Sequence, residues 1–306
     1  NTAKHYLDTK NWNIIRGDMF RNTLQVFITD KCNIRCEGCF VDKGKGLGKE
    51  HMTLEEYKSI VSNEPSIEKI VLLGGEPSMH PNLKEICDYN RENGLDTTIY
   101  TNGYNIANIP LHVNVRLSVS GKSTGAKSLD RLSKTIKNVN HNRFSVRLGL
   151  DQSNKSEIFS FASKVEDMFG DVPILFCRQK RIDITGSYAI DTDECLSGVE
   201  YISIIEDFLD KYNGNISEVH VTKQGYISGS TGSIENCRFS NVFRDGTRVT
   251  CPLDLGLIGK DNIEALSPEY GRCCNKNNEC LLQKIVLTRR QETRLNKNGV
   301  IGAKKP

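Results

Sequence analysis

The chain has 306 residues, 37% of them hydrophobic, and a formal net charge of +3. That length fits one large domain with a smaller appendage, or one enlarged α/β barrel. The charge is too small to argue for nucleic acid, and no apolar run approaches the ~18 residues of a membrane span. Asn1 to Lys10 lacks an apolar signal-peptide core, which points to the cytoplasm. Eleven cysteines in a chain of this size point to metal ligands and thiols rather than to a disulfide framework.

Leu24 to Thr29 is a short run of strand formers that leads into Lys31-Cys32-Asn33-Ile34-Arg35-Cys36-Glu37-Gly38-Cys39-Phe40. Three thiolates at C-x3-C-x2-C spacing can hold three corners of a [4Fe–4S] cube and leave one iron open to a small molecule. A zinc site would normally be completed to four ligands. Next, Thr53-Leu54-Glu55-Glu56 is a capping box that opens a helix through about Val61. Ile70 to Leu73 is a buried strand running into Gly74-Gly75-Glu76-Pro77. A helix from Asn82 is stopped by Gly94, and the strand Thr97 to Tyr100 ends at Thr101-Asn102-Gly103.

Two later strands carry more information. Val113, Val115, Leu117 and Val119 alternate with Asn114, Arg116 and Ser118. Phe144, Val146, Leu148 and Leu150 alternate with Ser145, Arg147 and Gly149. A period of two gives each strand one apolar and one polar face. Amphipathic helices follow, one carrying Leu129, Leu132, Ile136 and Val139, the other Ile158, Phe161, Ala162, Val165 and Phe169. Helices pack on the apolar faces, so the polar faces line the interior of a partial barrel whose lumen is the reaction chamber. An open sheet with one solvated face is the alternative. Pro173 to Cys177 is the sixth strand; a polar stretch, Arg178 to Ser197, precedes a helix carrying Val199, Ile202, Ile205, Phe208 and Leu209. After Tyr212 the character changes to short strands, Gly turns and clustered Cys. The expected organisation is a lead-in over 1–21, a barrel over 22–212, and a cluster-binding domain with a C-terminal helix over 213–306.

The cysteine loop together with the strand-Gly-Gly-Glu-Pro turn resembles the radical S-adenosylmethionine (radical SAM) superfamily. The resemblance implies an α/β fold with a partial (β/α)6 TIM-type barrel. It implies that Cys32, Cys36 and Cys39 bind a [4Fe–4S] cluster whose open iron takes the amino and carboxylate groups of S-adenosylmethionine. Gly74, Gly75, Glu76 and Pro77 would form the turn at its amino group, with Asn102 at a neighbouring strand end. Ser118 is a ribose partner, and Arg147 meets the carboxylate or lines the substrate pocket. Family members often carry an aromatic residue just before the third cysteine, near the adenine; here Gly38 stands there and Phe40 follows the motif. The implied chemistry is reductive cleavage to a 5′-deoxyadenosyl radical that abstracts hydrogen from substrate, with an electron from a flavodoxin or ferredoxin.

Cys237, Cys251, Cys273, Cys274 and Cys280 form a second group. The Asp245-Gly246 pair signals a hairpin that folds Cys237 and Cys251 towards each other. The Gly246-x4-Cys251 spacing resembles the opening of SPASM and twitch extensions. The shorter twitch form, a small α+β domain, implies an auxiliary [4Fe–4S] cluster held by Cys237, Cys251, Cys280 and one of Cys273 and Cys274. A four-cysteine zinc knuckle is the alternative. Cys87 reads as buried filler, Cys177 as packing or a hydrogen-donating thiol, and Cys195 has no assigned role. The P-loop look-alike Ser120 to Thr124 lacks a Gly where Arg116 stands.

A small-molecule substrate, dehydrogenated or rearranged, is the leading expectation. With the barrel beginning at Leu24, no separate leader-binding domain is expected ahead of it, which disfavours a ribosomal peptide that is crosslinked or epimerised. A nucleotide or nucleic acid is the third class, with slight support from Arg178-Gln179-Lys180-Arg181. A non-catalytic iron–sulfur or zinc scaffold is the contrasting reading, opposed by Glu76 and both glycines.

Overall fold

The computed structural model describes residues 12–15, 22–34, 36, 51–119, 129, 143–178, 181–182, 188–189, 194–222, 240–242, 248–249 and 284–289. Within them, β2 (Thr23–Thr29), β3 (Lys69–Gly74), β4 (Asp96–Thr101), β5 (Asn114–Val119), β6 (Phe144–Leu150), β7 (Ile174–Arg178) and β10 (Glu218–Thr222) lie side by side in chain order, all parallel. Consecutive strands that neighbour one another in a single direction, joined by right-handed crossovers, send every connecting helix to the same face. Among the described residues no helix covers the other face.

The alternation expected in β5 and β6 is what separates the two faces. Val115, Leu117, Val119, Val146 and Leu148 are 0–2% exposed, as are Leu24, Ile70, Leu72 and Ile99 on the strands beside them. Against them pack Tyr57 and Val61 of α1 (Leu54–Ser62), Ile86 of α2 (Leu83–Glu92), Phe161 and Val165 of α3 (Ile158–Phe169), and Ile205 and Phe208 of α4 (Gly198–Lys211). Each such side chain contributes about 1.5–3 kcal/mol on burial. Leu129 belongs to this core, while Leu132, Ile136 and Val139 lie outside the described residues.

Helix boundaries follow local chemistry. Thr53 caps α1 with a complete capping box to Glu56, and Gly94 takes a left-handed φ of 70° just past α2. Ser197 and Glu200 form a second capping box at the start of α4. Val199, expected on the buried face of α4, is 79% exposed. Tyr201, Ile205, Phe208 and Leu209 form the buried stripe, and Val199, two residues before Tyr201, falls on the opposite side of the helix.

One sheet edge carries the first and last of the described strands, and the other carries a pair of short strands from after residue 212. β13 (Lys284–Arg289) pairs antiparallel with β10, and β1 (Trp12–Ile15) pairs antiparallel with β13. Trp12 is 2% exposed, its indole donates to Leu209 O at 3.0 Å, and the Arg289 guanidinium lies 5.2 Å over its ring. At the other edge, β11 (Ser240–Val242) pairs parallel with β2 and antiparallel with β12 (Arg248–Val249). A separate hairpin joins β8 (Arg181–Ile182) and β9 (Tyr188–Ala189). The strands beyond residue 212 therefore continue the same sheet as the strands before it. The expected C-terminal helix and all five cysteines of the second group lie outside the described residues. Among the described residues no helix is long and apolar enough to cross a membrane.

Candidate functional site

At the carboxyl end of β2, Thr29 turns the chain into the cysteine loop, with Cys32 exposed and Cys36 half-buried. Cys39 and Phe40 lie outside the described residues. β3 ends beside β2, and the turn after it packs directly on this exit. Gly75 N–H donates to Thr29 O at 2.8 Å and Glu76 N–H to Lys31 O at 2.7 Å. This approach demands glycine twice. A Cβ on Gly74, whose φ is +142°, would lie 2.2 Å from Thr29 O, and one on Gly75 would lie 2.3 Å from Lys31 O.

Glu76 is 1% exposed. Its Oε1 accepts from Ser78 N–H at 3.0 Å and from the Thr101 hydroxyl at 2.7 Å; its Oε2 accepts from Asn102 N–H at 2.7 Å. Charge-assisted bonds of this kind rigidify the loops they join. The carboxylate thus ties the β3 exit to the β4 exit. Pro77 opens a short 3-10 turn, Pro77–Met79, for which Glu76 is the N-cap.

Asn102 completes the junction. Its Nδ2 donates to Asn33 Oδ1 at 2.8 Å and lies 3.8 Å from Cys32 Sγ, while its Oδ1 accepts from Tyr104 N–H at 3.0 Å. One side chain therefore touches the cysteine loop and, through its backbone, Glu76. The donor set fits an iron–sulfur cluster. Two of the three expected sulfurs stand at a strand's carboxyl end, and an amide N–H is directed at one of them, as cluster thiolates accept.

His80 closes the loop from behind. Its Nδ1 accepts from Asn82 N–H at 3.1 Å, so Nε2 carries the proton and donates to Met52 O at 2.8 Å. Burial pulls its pKa below the ordinary histidine value, opposed in part by the bond to Met52.

Ser118 and Arg147 are register partners on β5 and β6, and both are half-buried on the polar face. Burial opposes the charge on Arg147, yet its pKa moves upward because Cys177 and Tyr100 lie close and Cys177 makes a side-chain hydrogen bond with it. Cys177, 6% exposed, pairs with Gly149 and lies on this same face. Cys87 is the buried filler expected, and burial pushes its thiol up to about 12.

Sequence reasoning placed Ser145 on the polar face without giving it a role and passed over Tyr100, Glu218 and His220, which share that face. Arg116 Nη1 donates to the Tyr100 hydroxyl at 3.0 Å and its Nε to Ser145 Oγ at 3.1 Å. Glu218 and His220 form a hydrogen-bonded pair, and the Glu218 carboxyl is held below its ordinary pKa first by His220, with a further contribution from the Arg116 charge. The available signal was register: an alternating strand places every second residue on one face, but only strand order says which of those residues meet.

An α/β sheet that gathers a cysteine loop, a Gly-Gly-Glu-Pro turn and an Asn at adjoining carboxyl ends defines a protein whose chemistry sits at the mouth of its parallel strands. Residues 26–143 match the model of the Radical SAM superfamily. Named enzymes share parts of it. The chain is 31% identical over 110 residues to Fe-coproporphyrin III synthase of Methanosarcina barkeri, covering 35% of this chain and 27% of that protein. It is 30% identical over 100 residues to an S-adenosylmethionine-dependent nucleotide dehydratase of Flammeovirga pacifica (31% and 34% covered). It is 40% identical over 86 residues to GTP 3′,8-cyclase of Photorhabdus laumondii (26% of each). The matches thus span about a quarter to a third of these relatives' lengths. In fold, the chain is similar to Streptococcus suis SuiB bound to its precursor peptide SuiA, with a TM-score of 0.57 and 13% identity over 84% of this chain and 64% of that one.

Proposed function

We propose that the chain is a radical SAM enzyme that cleaves S-adenosylmethionine reductively and abstracts hydrogen from a small-molecule substrate. The observation that carries this reading is the junction at Asn102, which joins the cysteine loop to the Gly-Gly-Glu-Pro turn. Cys32, Cys36 and Cys39 would hold the [4Fe–4S] cluster. When bound, cluster and S-adenosylmethionine together supply the electron and the carbon radical for hydrogen abstraction.

The chain's own residues bind and orient. The Gly-Gly-Glu-Pro turn takes the amino end of S-adenosylmethionine, and Glu76 holds that turn rigid rather than flexing with the ligand. Ser118 takes the ribose, Arg147 the carboxylate, and Phe40 the adenine. The one-sided helical cover and the polar inner face support a partial (β/α)6 barrel whose lumen excludes bulk water from the reacting carbon. Relatives named for acting on nucleotides favour a small molecule. The fold likeness to a protein that binds a precursor peptide keeps a peptide as the second substrate class. A twitch-like domain with an auxiliary cluster on Cys237, Cys251, Cys280 and either Cys273 or Cys274, a flavodoxin- or ferredoxin-type donor and a cytoplasmic setting complete the proposal.

The test is iron and sulfide per chain after anaerobic reconstitution, with 5′-deoxyadenosine formation under dithionite. About eight irons falling to about four in the Cys32→Ala/Cys36→Ala/Cys39→Ala variant, with loss of 5′-deoxyadenosine, is the expected result. About four falling to near none would remove the auxiliary cluster. Wild-type protein that loads iron but forms no 5′-deoxyadenosine would overturn the enzyme reading.

A further inference from the structure

Two arginines stand on the inner face of the sheet. Arg116 pairs in register with Ser145, and Ser118 with Arg147, so Arg116 and Arg147 are diagonal neighbours across β5 and β6. Diagonal positions on one face lie about 7–8 Å apart, within reach of long side chains. Among the described residues no carboxylate forms an ion pair with either guanidinium. Arg116 is held by two neutral hydroxyls, of Tyr100 and Ser145, with the Tyr100 ring 5.4 Å from its carbon. Cys177 and Tyr100 lie close to Arg147. Glu218 is the carboxylate that acts on Arg116, from three strands along the sheet, and its own hydrogen bond goes to His220.

A half-buried guanidinium is normally matched by a carboxylate, because removing its charge from water is costly. Here two neighbouring guanidiniums face one chamber and a single carboxylate acts on one of them, Arg116, so among the described residues the positive charge on this face is not matched. A guanidinium has five N–H donors; Arg116 uses Nε and one at Nη1 on its hydroxyl partners. Its remaining donors form the edge that binds carboxylate or phosphate oxygens in bidentate fashion. Tyr100 and Ser145 fix its orientation in advance, which lowers the entropy lost on binding.

We propose that Arg116, set in place by Tyr100 and Ser145, is the anion-recognition residue for the substrate, reading a carboxylate or phosphate group on the inner face of the sheet. The inference rests on the enzyme reading above for calling the bound anion a substrate, but the anion site itself does not. Arg116 lies two residues before Ser118 on β5, deeper along the strand than the cofactor contacts at its carboxyl end. The substrate's anionic group then points away from the cysteine loop and its reacting carbon toward it.

The test uses the reconstituted, cluster-loaded full chain with S-adenosylmethionine present, and inorganic pyrophosphate and succinate as probes of the two anion chemistries. Binding of at least one probe to the wild type, weakened about tenfold or more in Arg116→Gln and less in Arg116→Lys, is expected. The affinity for S-adenosylmethionine should stay within about threefold in both variants. Equal probe binding in wild type and Arg116→Gln would overturn the proposal, as would no binding of either probe to the wild type. Probe binding that appears only when S-adenosylmethionine is left out would also overturn it, assigning the site to the cofactor's carboxylate. Near-ultraviolet circular dichroism checks folding of Arg116→Gln, and Arg116→Lys carries the test if that variant misfolds. In the same samples, failure of the wild type to form 5′-deoxyadenosine would sink the enzyme reading while leaving the anion site standing.

Discussion

Glu76→Gln separates a structural carboxylate from one that acts only on a ligand. The side chain keeps its size, but one acceptor oxygen becomes an NH2 group. With the nitrogen in the Oε2 position it meets the Asn102 N–H; with the amide flipped it meets the Ser78 N–H. Either way a charge-assisted bond is lost, about 1.5–3 kcal/mol, and a buried donor is left facing a donor, about 1–3 kcal/mol. The two overlap because they concern the same N–H, so the net cost is about 2–4 kcal/mol. That is a large part of a total stability of about 5–15 kcal/mol. Urea unfolding of cluster-free protein without S-adenosylmethionine is the assay, with a lowered midpoint at unchanged slope expected. If the variant unfolds like wild type and differs only when S-adenosylmethionine is added, the role argued for Glu76 in joining the β3 and β4 exits is wrong.

Gly75→Ala drives a methyl group into Lys31 O and Asp30 O, at 2.3 and 2.7 Å, and these are backbone atoms that cannot swing aside. A loss of about 1–3 kcal/mol in urea unfolding, with lower iron content after reconstitution, is expected; full iron loading at wild-type stability would refute the close-approach argument. His80 predicts a pH effect. Its folded pKa lies below the unfolded value of about 6.5, so its contribution to stability is complete above that value. As pH falls from about 6.5 towards the folded pKa the unfolded chain binds the proton first and stability declines, levelling off once the folded ring protonates as well. His80→Gln should flatten this part of the stability–pH curve, and an unchanged slope would show that the decline arises elsewhere.

Much of the layout was legible from local patterns. The Thr53–Glu56 capping box and the turn at Gly94 involve residues a few positions apart, so their chemistry is written in adjacent letters. The alternation of Val115, Leu117 and Val119 with Arg116 and Ser118 identified the buried face correctly, since a strand has a period of two whatever it pairs with. The glycines of the turn were legible as glycines, but their neighbour was not. They admit the backbone of Thr29 and Lys31, a contact set by how β2 and β3 end beside one another.

Sequence alone determined the cysteine spacing, the strand-turn motif, the helix caps and the two-faced strands, because each depends on residues within one or two turns of chain. Tertiary structure alone decided that β13 carries the chain's last described residues between β10 and β1, continuing one sheet past residue 212. It alone brought Tyr100, Glu218 and His220 together with Arg116 and Ser145 on one polar face, from four different strands. Such contacts join residues far apart in sequence, and which of them form depends on strand order and register, quantities that no short window of sequence contains.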